Sequence, residues 1–533
     1  MRSDSPIPAA FCLRGGRVVD GSGRPEVAAD IVVRGGRIEL HEAGETTGLE
    51  IVDVDGAVVA PGFIDAHSHA DLEALLDPPA PEVHRSRLLQ GVTTEVTGNC
   101  GFSPFPVPPE RAEDVRRFLG FVFGTAAETF PDLDHYERAV TAAGLASNVA
   151  PLVGHGTLRI AEVGYEDRDM TSDEVDHVAA ALDRVLAEGA VGLSTGLCYT
   201  PATFAPPSEV EALAAVVAAR DRVYATHIRN ETEGVLGALD EALAVARASG
   251  VRLHISHLKA AGRRMHGSVP DILRRLDEAR AGGVDVTADA YPYTAASTML
   301  HSLLPPWLID EGIDSMLVRL ADPGVRRKVA TDLEQGIAAW QNLGAAAGWD
   351  RVTVASSLRN PSRHGRSIVE LSVSDDLDPV DTIARVLIEE AGRVVVVIEA
   401  MDDDDVGAVL AWPSTVVGSD GIPLPGTPHP RLTGTFPRAF RRYVDSGTSI
   451  EEAVRRMTGA TAARFGLGDR GMLRDGSVAD LVVFDPAGLM DRGTYADPWP
   501  PPVGMIHVLV GGRPGVWAGE AVDPAAGIVI RSG

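Results

Sequence analysis

The chain has 533 residues, of which 45% are hydrophobic and 23% charged, enough for a large buried core and more than one domain. A formal net charge of −27 argues against nucleic acid and anionic membranes as partners, since both reward basic patches. Cys12, Cys100 and Cys198 are too few and too scattered for a disulfide framework. No run approaches the roughly 18 apolar residues of a membrane span, and the N-terminus MRSDSPIPAAFCLRGG lacks an apolar signal core, so the expected location is the cytoplasm.

The first sixty residues predict short strands with glycine turns: FCLRGGRVVDGSG, AADIVVRGGRIEL and EIVDVDGAVVAPG. The chain end resumes that style in DGSVADLVVFDP, MIHVLVGGRPG and AVDPAAGIVIRSG. Two such ends can complete one small β-sandwich, which predicts a domain from residues 1–60 plus 470–533 with 61–469 inserted into it. Inside the insert, apolar runs at 61–67, 92–98, 148–154, 190–195, 223–227, 252–257, 284–290 and 415–419 read as strands. Amphipathic stretches at 172–188, 208–220 and 232–249 read as helices between them. Eight βα repeats predict a (β/α)8 TIM barrel, α/β in class. The interval 291–414 is too long for one repeat and predicts an inserted subdomain near 297–352, followed by an extra strand at 394–400.

Metal-ligand residue types recur where these strands end. His67 and His69 close IDAHSH, Cys100 closes TTEVTGNC, His227 closes VYATH, His257 closes LHISH and Asp420 closes STVVGSD. Strand C-termini of a parallel barrel converge on one mouth, so the pattern fits a shared ion. A His-x-His pair puts both imidazoles on one side of the pleat, which suits a shared metal. The motif alone fits a pair of surface or core histidines as well, but PGFIDAHSHAD, a buried apolar run breaking into polar residues at its C-terminal end, favours the metal. Cys100 sits between Gly98-Asn99 and Gly101, which reads as a tight, exposed turn. A cysteine with two histidines leaves a fourth coordination position for water, the count of a catalytic zinc. Asp420 could move the proton of the attacking water, with Asp289 as a weaker rival, although Asp-Gly is also an ordinary turn. His254 falls on the other face and reads as structural. Lys259, Tyr199, Tyr291, Ser297 and Arg431 are candidate contacts for a substrate carboxylate; Arg431 could equally serve a salt bridge and Tyr199 could simply pack. Asn99 could polarise a carbonyl or serve its own backbone turn.

With these residues in view, the sequence resembles the amidohydrolase superfamily and, within it, the D-aminoacylase (N-acyl-D-amino-acid deacylase) family. The resemblance rests on PGFIDAHSHADL, GVTTEVTGNCGFSP, GHGTLR, STGLCYTP, ATHIRNE, ISHLK, YPYTAAST, GSDG, HPRLTGTFPR, AVRRMTGATAARFGL and DRGMLRDGSVADLVVFDP, in order from about residue 10 to 515. It implies one tight Zn2+ on Cys100, His227 and His257, a weaker second site at His67 and His69, and Asp420 as catalytic acid/base. It also implies Lys259, Tyr199, Tyr291, Ser297 and Arg431 near the substrate carboxylate. Dihydropyrimidinases bridge two metals with a carboxylated lysine on strand four; strand four here, VGLSTG, has no lysine, which leaves Cys100 as the special ligand. Thr433 departs from the family pattern, where an aromatic is expected, and leaves the pocket wall open.

The leading expectation is therefore zinc-dependent hydrolysis of N-acyl-D-amino acids, a small-molecule reaction needing no nucleic acid or membrane. The D-configuration rests on the resemblance alone. Hydrolysis of a D-residue dipeptide, cyclic imide or ureide is the alternative, and an inactive binding barrel the reading from another class. Side-chain and acyl preference, the number of metals in use and the oligomeric state, a homo-oligomer among the options, are left open.

Overall fold

Strands expected from apolar runs alone form one parallel sheet: Phe63–Asp65, Val92–Thr97, Asn148–Gly154, Gly192–Gly196, Val223–His227, Arg252–Ile255, Val286–Ala290 and Thr415–Val417. They lie in sequence order, each hydrogen-bonded to the next. Just past the strand ends the first and last meet: Ser68 bridges Gly421 in parallel, and the Asp420 amide donates to the His67 carbonyl at 2.7 Å. The result is a (β/α)8 barrel. Its strands are buried on both faces, which is why runs such as VTTEVT read as continuous cores rather than alternating.

The computed structural model describes residues 10–45, 48–76, 81–423, 426–522 and 526–532, without the side chains of Pro81, His84, Phe121 and Thr125. Residues 1–9, 46–47, 523–525 and 533 of the expected terminal domain lie outside the described residues.

Helices follow the expected pattern. Ser172–Glu188 starts with a Thr171/Glu174 capping box, buries Val178, Leu182, Val185 and Leu186 along one stripe, and stops at Gly189 in a left-handed conformation. Pro207–Ala219 and Val235–Ser249 close the next two repeats. The two chain ends share a ten-stranded sheet in which Val58–Pro61 pairs antiparallel with Leu481–Phe484. That sheet folds over itself, so Phe11, Leu13, Ile31 and Val33 share a core with Leu481, Val483 and Leu509. Between the seventh and eighth barrel strands the chain builds a three-stranded antiparallel sheet, with Val394–Glu399 between Ala295–Met299 and Val352–Ser357. The extra strand expected at 394–400 is thus the centre of the inserted sheet.

A buried ionic network ties the helix Pro81–Leu89 to the barrel. Arg87 reaches Glu73 at 3.0 Å and Glu95 at 2.6 Å, while Ser68 and Ser147 each donate to Glu95 at 2.6 Å. Burial and the neighbouring Glu95 push Asp65 up to about 7. Removing the one cation from such a cluster leaves buried carboxylates uncompensated, a loss of about 3–5 kcal/mol. Arg87→Met is therefore expected to lower the apparent Tm clearly, measured by thermal unfolding; an unchanged Tm would show that the pairing contributes nothing net.

Candidate active site

Three side chains of the barrel mouth stand on strained backbone. Of the eight described non-glycine residues with positive φ, Cys100 (54°), His257 (34°) and Asp420 (51°) belong to the expected site. Such outliers persist where surrounding structure over-determines them, and they cluster at functional sites. Each lies two or three residues past the end of a barrel strand, in a left-handed backbone conformation. Gly98 makes the Cys100 turn possible: its φ is 73°, and a Cβ there would lie 2.2 Å from the Leu152 carbonyl oxygen. Gly196 lets strand four approach, since its Cβ would lie 2.2 Å from the Cys100 carbonyl oxygen. Asp71 accepts from the Gly98 amide at 2.5 Å, and Asn99 donates to Val96 O at 2.9 Å, so Asn99 serves the backbone. Wedged among three strands, Cys100 is buried rather than exposed, contrary to the expectation from its glycine-rich flanks.

All six expected residues converge. Cys100 Sγ lies 3.3 Å from His67 Nε2, 3.4 Å from His257 Nε2 and 3.7 Å from His227 Nδ1. The donor atoms of Cys100, His227 and His257 lie within 4.8 Å of one another, as do those of His67, His69 and Cys100 and those of His67, His257 and Asp420. Cys100 thus belongs to two adjacent ligand groups. Burial holds the His227 and His257 rings below the ordinary imidazole range, neutral as a metal requires. Burial also pushes the Cys100 thiol well up, so a nearby cation is what would make it a thiolate. Neutral imidazoles plus a thiol with carboxylate available fit zinc.

Around these donors lies a layer of buried carboxylates. Glu231, four residues past His227, was not among the expected site residues, yet its carboxylate reaches Lys259 Nζ at 2.6 Å, His257 Nδ1 at 3.0 Å and His227 Nε2 at 3.5 Å. Burial disfavours its charge, but Lys259 and the two histidines outweigh that and keep Glu231 well below the usual carboxylate range. Asp289, the weaker rival for proton transfer, lies against the ligand set: it accepts from the His257 amide at 2.9 Å and contacts His254 Nε2 at 2.9 Å and His67 Nδ1 at 3.5 Å. His254 contributes through that carboxylate. The only advance signal for Glu231 was a carboxylate one helical spacing from a ligand inside ATHIRNE.

Asp420 faces His67 and His69, with Oδ1 3.2 Å from His69 Nε2 and 3.6 Å from His67 Nε2. Its Oδ2 pairs with Arg431 Nη1 at 2.9 Å. Burial opposes ionisation, but Arg431 and the histidines hold Asp420 well below the ordinary carboxylate range. A cavity of about 460 Å³ opens above, lined by His227, His257 and Asp420 together with Lys259, Tyr199, Tyr291 and Ser297. Lys259 is buried and tied to Glu231, which pushes it up to about 12 against the effect of burial. Tyr199 donates or accepts at Thr298 Oγ1 (3.1 Å), whereas the buried Tyr291 hydroxyl has no hydrogen-bond partner among the described residues. Arg431 stands behind that wall, on Asp420, over the Tyr291 ring at 4.7 Å and on the Ser297 carbonyl at 3.2 Å. Thr433 lies apart from the cavity, donating to Pro498 O at 2.6 Å beside a separate surface groove, so the departure at that position does not reach the catalytic wall.

Metal-ligand side chains at the C-terminal mouth of a parallel eight-stranded barrel define a metal-dependent hydrolase. A family model described as "Amidohydrolase family" matches residues 50–515. The chain is 36% identical over 522 residues to N-acyl-D-aspartate deacylase of Alcaligenes xylosoxydans xylosoxydans, covering 97% of this chain and 94% of that one. It is also 36% identical to D-aminoacylase of the same organism, over 98% of this chain and 96% of that one. The crystal structure of N-acyl-D-glutamate deacylase from Bordetella bronchiseptica, with zinc and a phosphonate mimic of the tetrahedral intermediate, matches with a TM-score of 0.82 at 35% identity, covering 98% of this chain and 99% of that one. The chain belongs to the amidohydrolase family, in its D-aminoacylase (N-acyl-D-amino-acid deacylase) branch.

Cys100→Ala is expected to lose tightly bound zinc on dialysis, read by metal analysis, whereas His69→Ala keeps it. Equal zinc retention by the two variants would overturn the assignment of Cys100 to the tight site.

Proposed function

We propose that this protein hydrolyses the amide bond of N-acyl-D-amino acids to a carboxylate and a free D-amino acid. One observation carries the reading: His227 and His257, whose donors group with Cys100, line one cavity with the Asp420 carboxylate, Lys259, Tyr291 and Ser297. A scissile amide and a substrate carboxylate can therefore be held at once. Support for the D-configuration comes from the relatives, whose names specify D-amino acids.

A zinc ion held by Cys100, His227 and His257 would polarise the acyl carbonyl and supply a nucleophilic water at neutral pH. His67 and His69, with Cys100 in reach of both, are the residues for a second, weaker site. Glu231 fixes the two histidines from behind, contacting the ring nitrogen that points away from Cys100 in each. Lys259, anchored by the same carboxylate, brings a positive charge to the cavity wall, and Tyr291 offers an unpaired hydroxyl. These groups orient the substrate carboxylate, with Ser297 beside them and Arg431 adding charge from behind.

Asp420 moves the proton. Its Oδ1 faces the histidine cluster and accepts the proton of the attacking water; the same atom returns it to the departing amine nitrogen. Arg431 keeps the carboxylate ionised while the cavity is empty. A substrate carboxylate near that guanidinium competes for its charge, which raises the proton affinity of Asp420 when it is needed.

The setting is a small-molecule enzyme of the cytoplasm. No described helix is long and apolar enough to cross a membrane, and the charge of −27 disfavours nucleic-acid and membrane partners.

Zinc-loaded enzyme is expected to hydrolyse the D- but not the L-member of enantiomeric N-acetyl amino acid pairs. Equal turnover of both, or activity only on dipeptides, hydantoins or ureides, would overturn the reading. Asp420→Asn is expected to lower kcat by about 10²–10⁴-fold with zinc content preserved. Glu231→Gln keeps the shape and removes the charge; zinc affinity, measured by chelator competition, should fall by about 10–100-fold. An undiminished affinity would mean that Glu231 does not orient the ligands.

A further inference from the structure

A second cavity of about 440 Å³ adjoins the catalytic one and shares Cys198, Tyr199 and Ser302 with it. Its walls include Phe102, Phe118, Met299, Leu304, Ile309 and Ile313, and among the described residues no Asp, Glu, Lys or Arg lines it. Among the described residues lining it the one histidine, His301, is held neutral by burial, near 4. Aromatic rings lead into it from the metal side: Tyr199 lies 5.1 Å from the His227 ring, Phe102 5.4 Å from Tyr199, and Phe118 stacks 4.6 Å from Phe102. Phe102 also meets the His69 ring edge-on at 6.3 Å. The annex therefore opens beside the metal ligands.

On the proposed reaction, an N-acyl amino acid presents three groups around its amide. Its carboxylate faces Lys259, Tyr291 and Ser297. Its side chain can lie against Ala296, Leu303 and Leu343, which form the apolar part of the catalytic cavity itself. Its acyl chain starts at the carbonyl carbon, which would sit at the metal ligands, and the annex, sharing Cys198, Tyr199 and Ser302 with the catalytic cavity beside the His227 ring, is the uncharged space next to it. An acetyl group would leave it empty.

We propose that the annex is an acyl-chain subsite and that the preferred substrates are D-amino acids carrying a medium-chain fatty acyl group. This rests on the deacylase reading above and deepens it. Each buried methylene strengthens binding by about fourfold at most, so partial burial of an octanoyl chain should raise kcat/KM at least about tenfold over acetyl.

The test compares N-acetyl and N-octanoyl derivatives of D-leucine and of D-aspartate with the zinc-loaded enzyme. An octanoyl preference of tenfold or more for either amino acid supports the subsite. Hydrolysis of the acetyl derivatives at an equal or higher rate overturns it while leaving the deacylase reading intact; no hydrolysis of any derivative sinks both. Ile309→Trp, which fills the annex, should bring the octanoyl-to-acetyl ratio toward one at unchanged zinc content. If it instead reduces only the preference of N-acetyl-D-phenylalanine over N-acetyl-D-alanine, the annex holds the side chain and the proposal falls. Octanoate competition against an N-acetyl substrate needs no variant: inhibition at least about tenfold stronger than by acetate is expected, and equal inhibition overturns the subsite.

Discussion

The structure turns on the crowding of polar donors around one sulfur. A buried thiol with imidazole nitrogens at 3.3, 3.4 and 3.7 Å gives the fold nothing by itself. Those groups are desolvated, and the neighbouring carboxylate of Asp420 adds to the obstacle against ionising the sulfur. A cation at their centre reverses the balance, because it favours the thiolate and accepts the imidazole lone pairs together. Backbone conformation pays the remaining cost: Cys100, His257 and Asp420 all sit at positive φ, and two glycines admit the turn that carries the cysteine. The barrel and the helices around it are the rigid frame that makes those conformations affordable.

Behind the donors, charge is arranged in pairs. Glu231 with Lys259 stands behind one side of the cluster, and Arg431 with Asp420 forms the other. Asp289 spans His67, His254 and the backbone of His257. Each pair would be a liability if opened in a dry interior, and each is closed by contacts under about 3 Å. The consequence is orientation: imidazole rings whose outer nitrogens meet carboxylates cannot turn, so the inner nitrogens stay aimed at one place.

Much of this was legible in the sequence, for identifiable reasons. A strand buried on both faces is a continuous apolar run, so 148–154 and 223–227 are found as Asn148–Gly154 and Val223–His227. The six proposed site residues lie at or just past the ends of such runs, and parallel strands in a closed barrel bring those ends together whatever the loops between them do. What the sequence hides is who pairs with whom. Lys259 and Arg431 look like free cations in a chain with two lysines, and nothing local shows that Glu231 and Asp420 hold them. Glu231 itself sits in a polar loop, Arg-Asn-Glu, that reads as surface. Burial of Cys100 was hidden too, because glycines that signal an exposed turn also permit one pressed between strands. The extra strand at 394–399 was visible as a run of valines, but its pairing with 295–299 joins segments far apart in the chain.

The two ion pairs also link binding to chemistry. An empty cavity with both pairs closed is close to neutral: Lys259 is balanced by Glu231, and Arg431 by Asp420. A substrate carboxylate adds one negative charge to that balance. Glu231 is gripped by three partners and stays ionised. Asp420 depends chiefly on Arg431, the same cation that can answer the incoming charge from behind Tyr291. The added charge therefore falls on the proton affinity of Asp420 more than on any other group. An amide without a carboxylate at that distance would find the metal ligands in place but Asp420 still held as a poor base. On the proposed mechanism, selection of a carboxylated substrate and activation of the base follow from one electrostatic arrangement, which accounts for Arg431 standing on the proposed catalytic carboxylate instead of on the cavity wall.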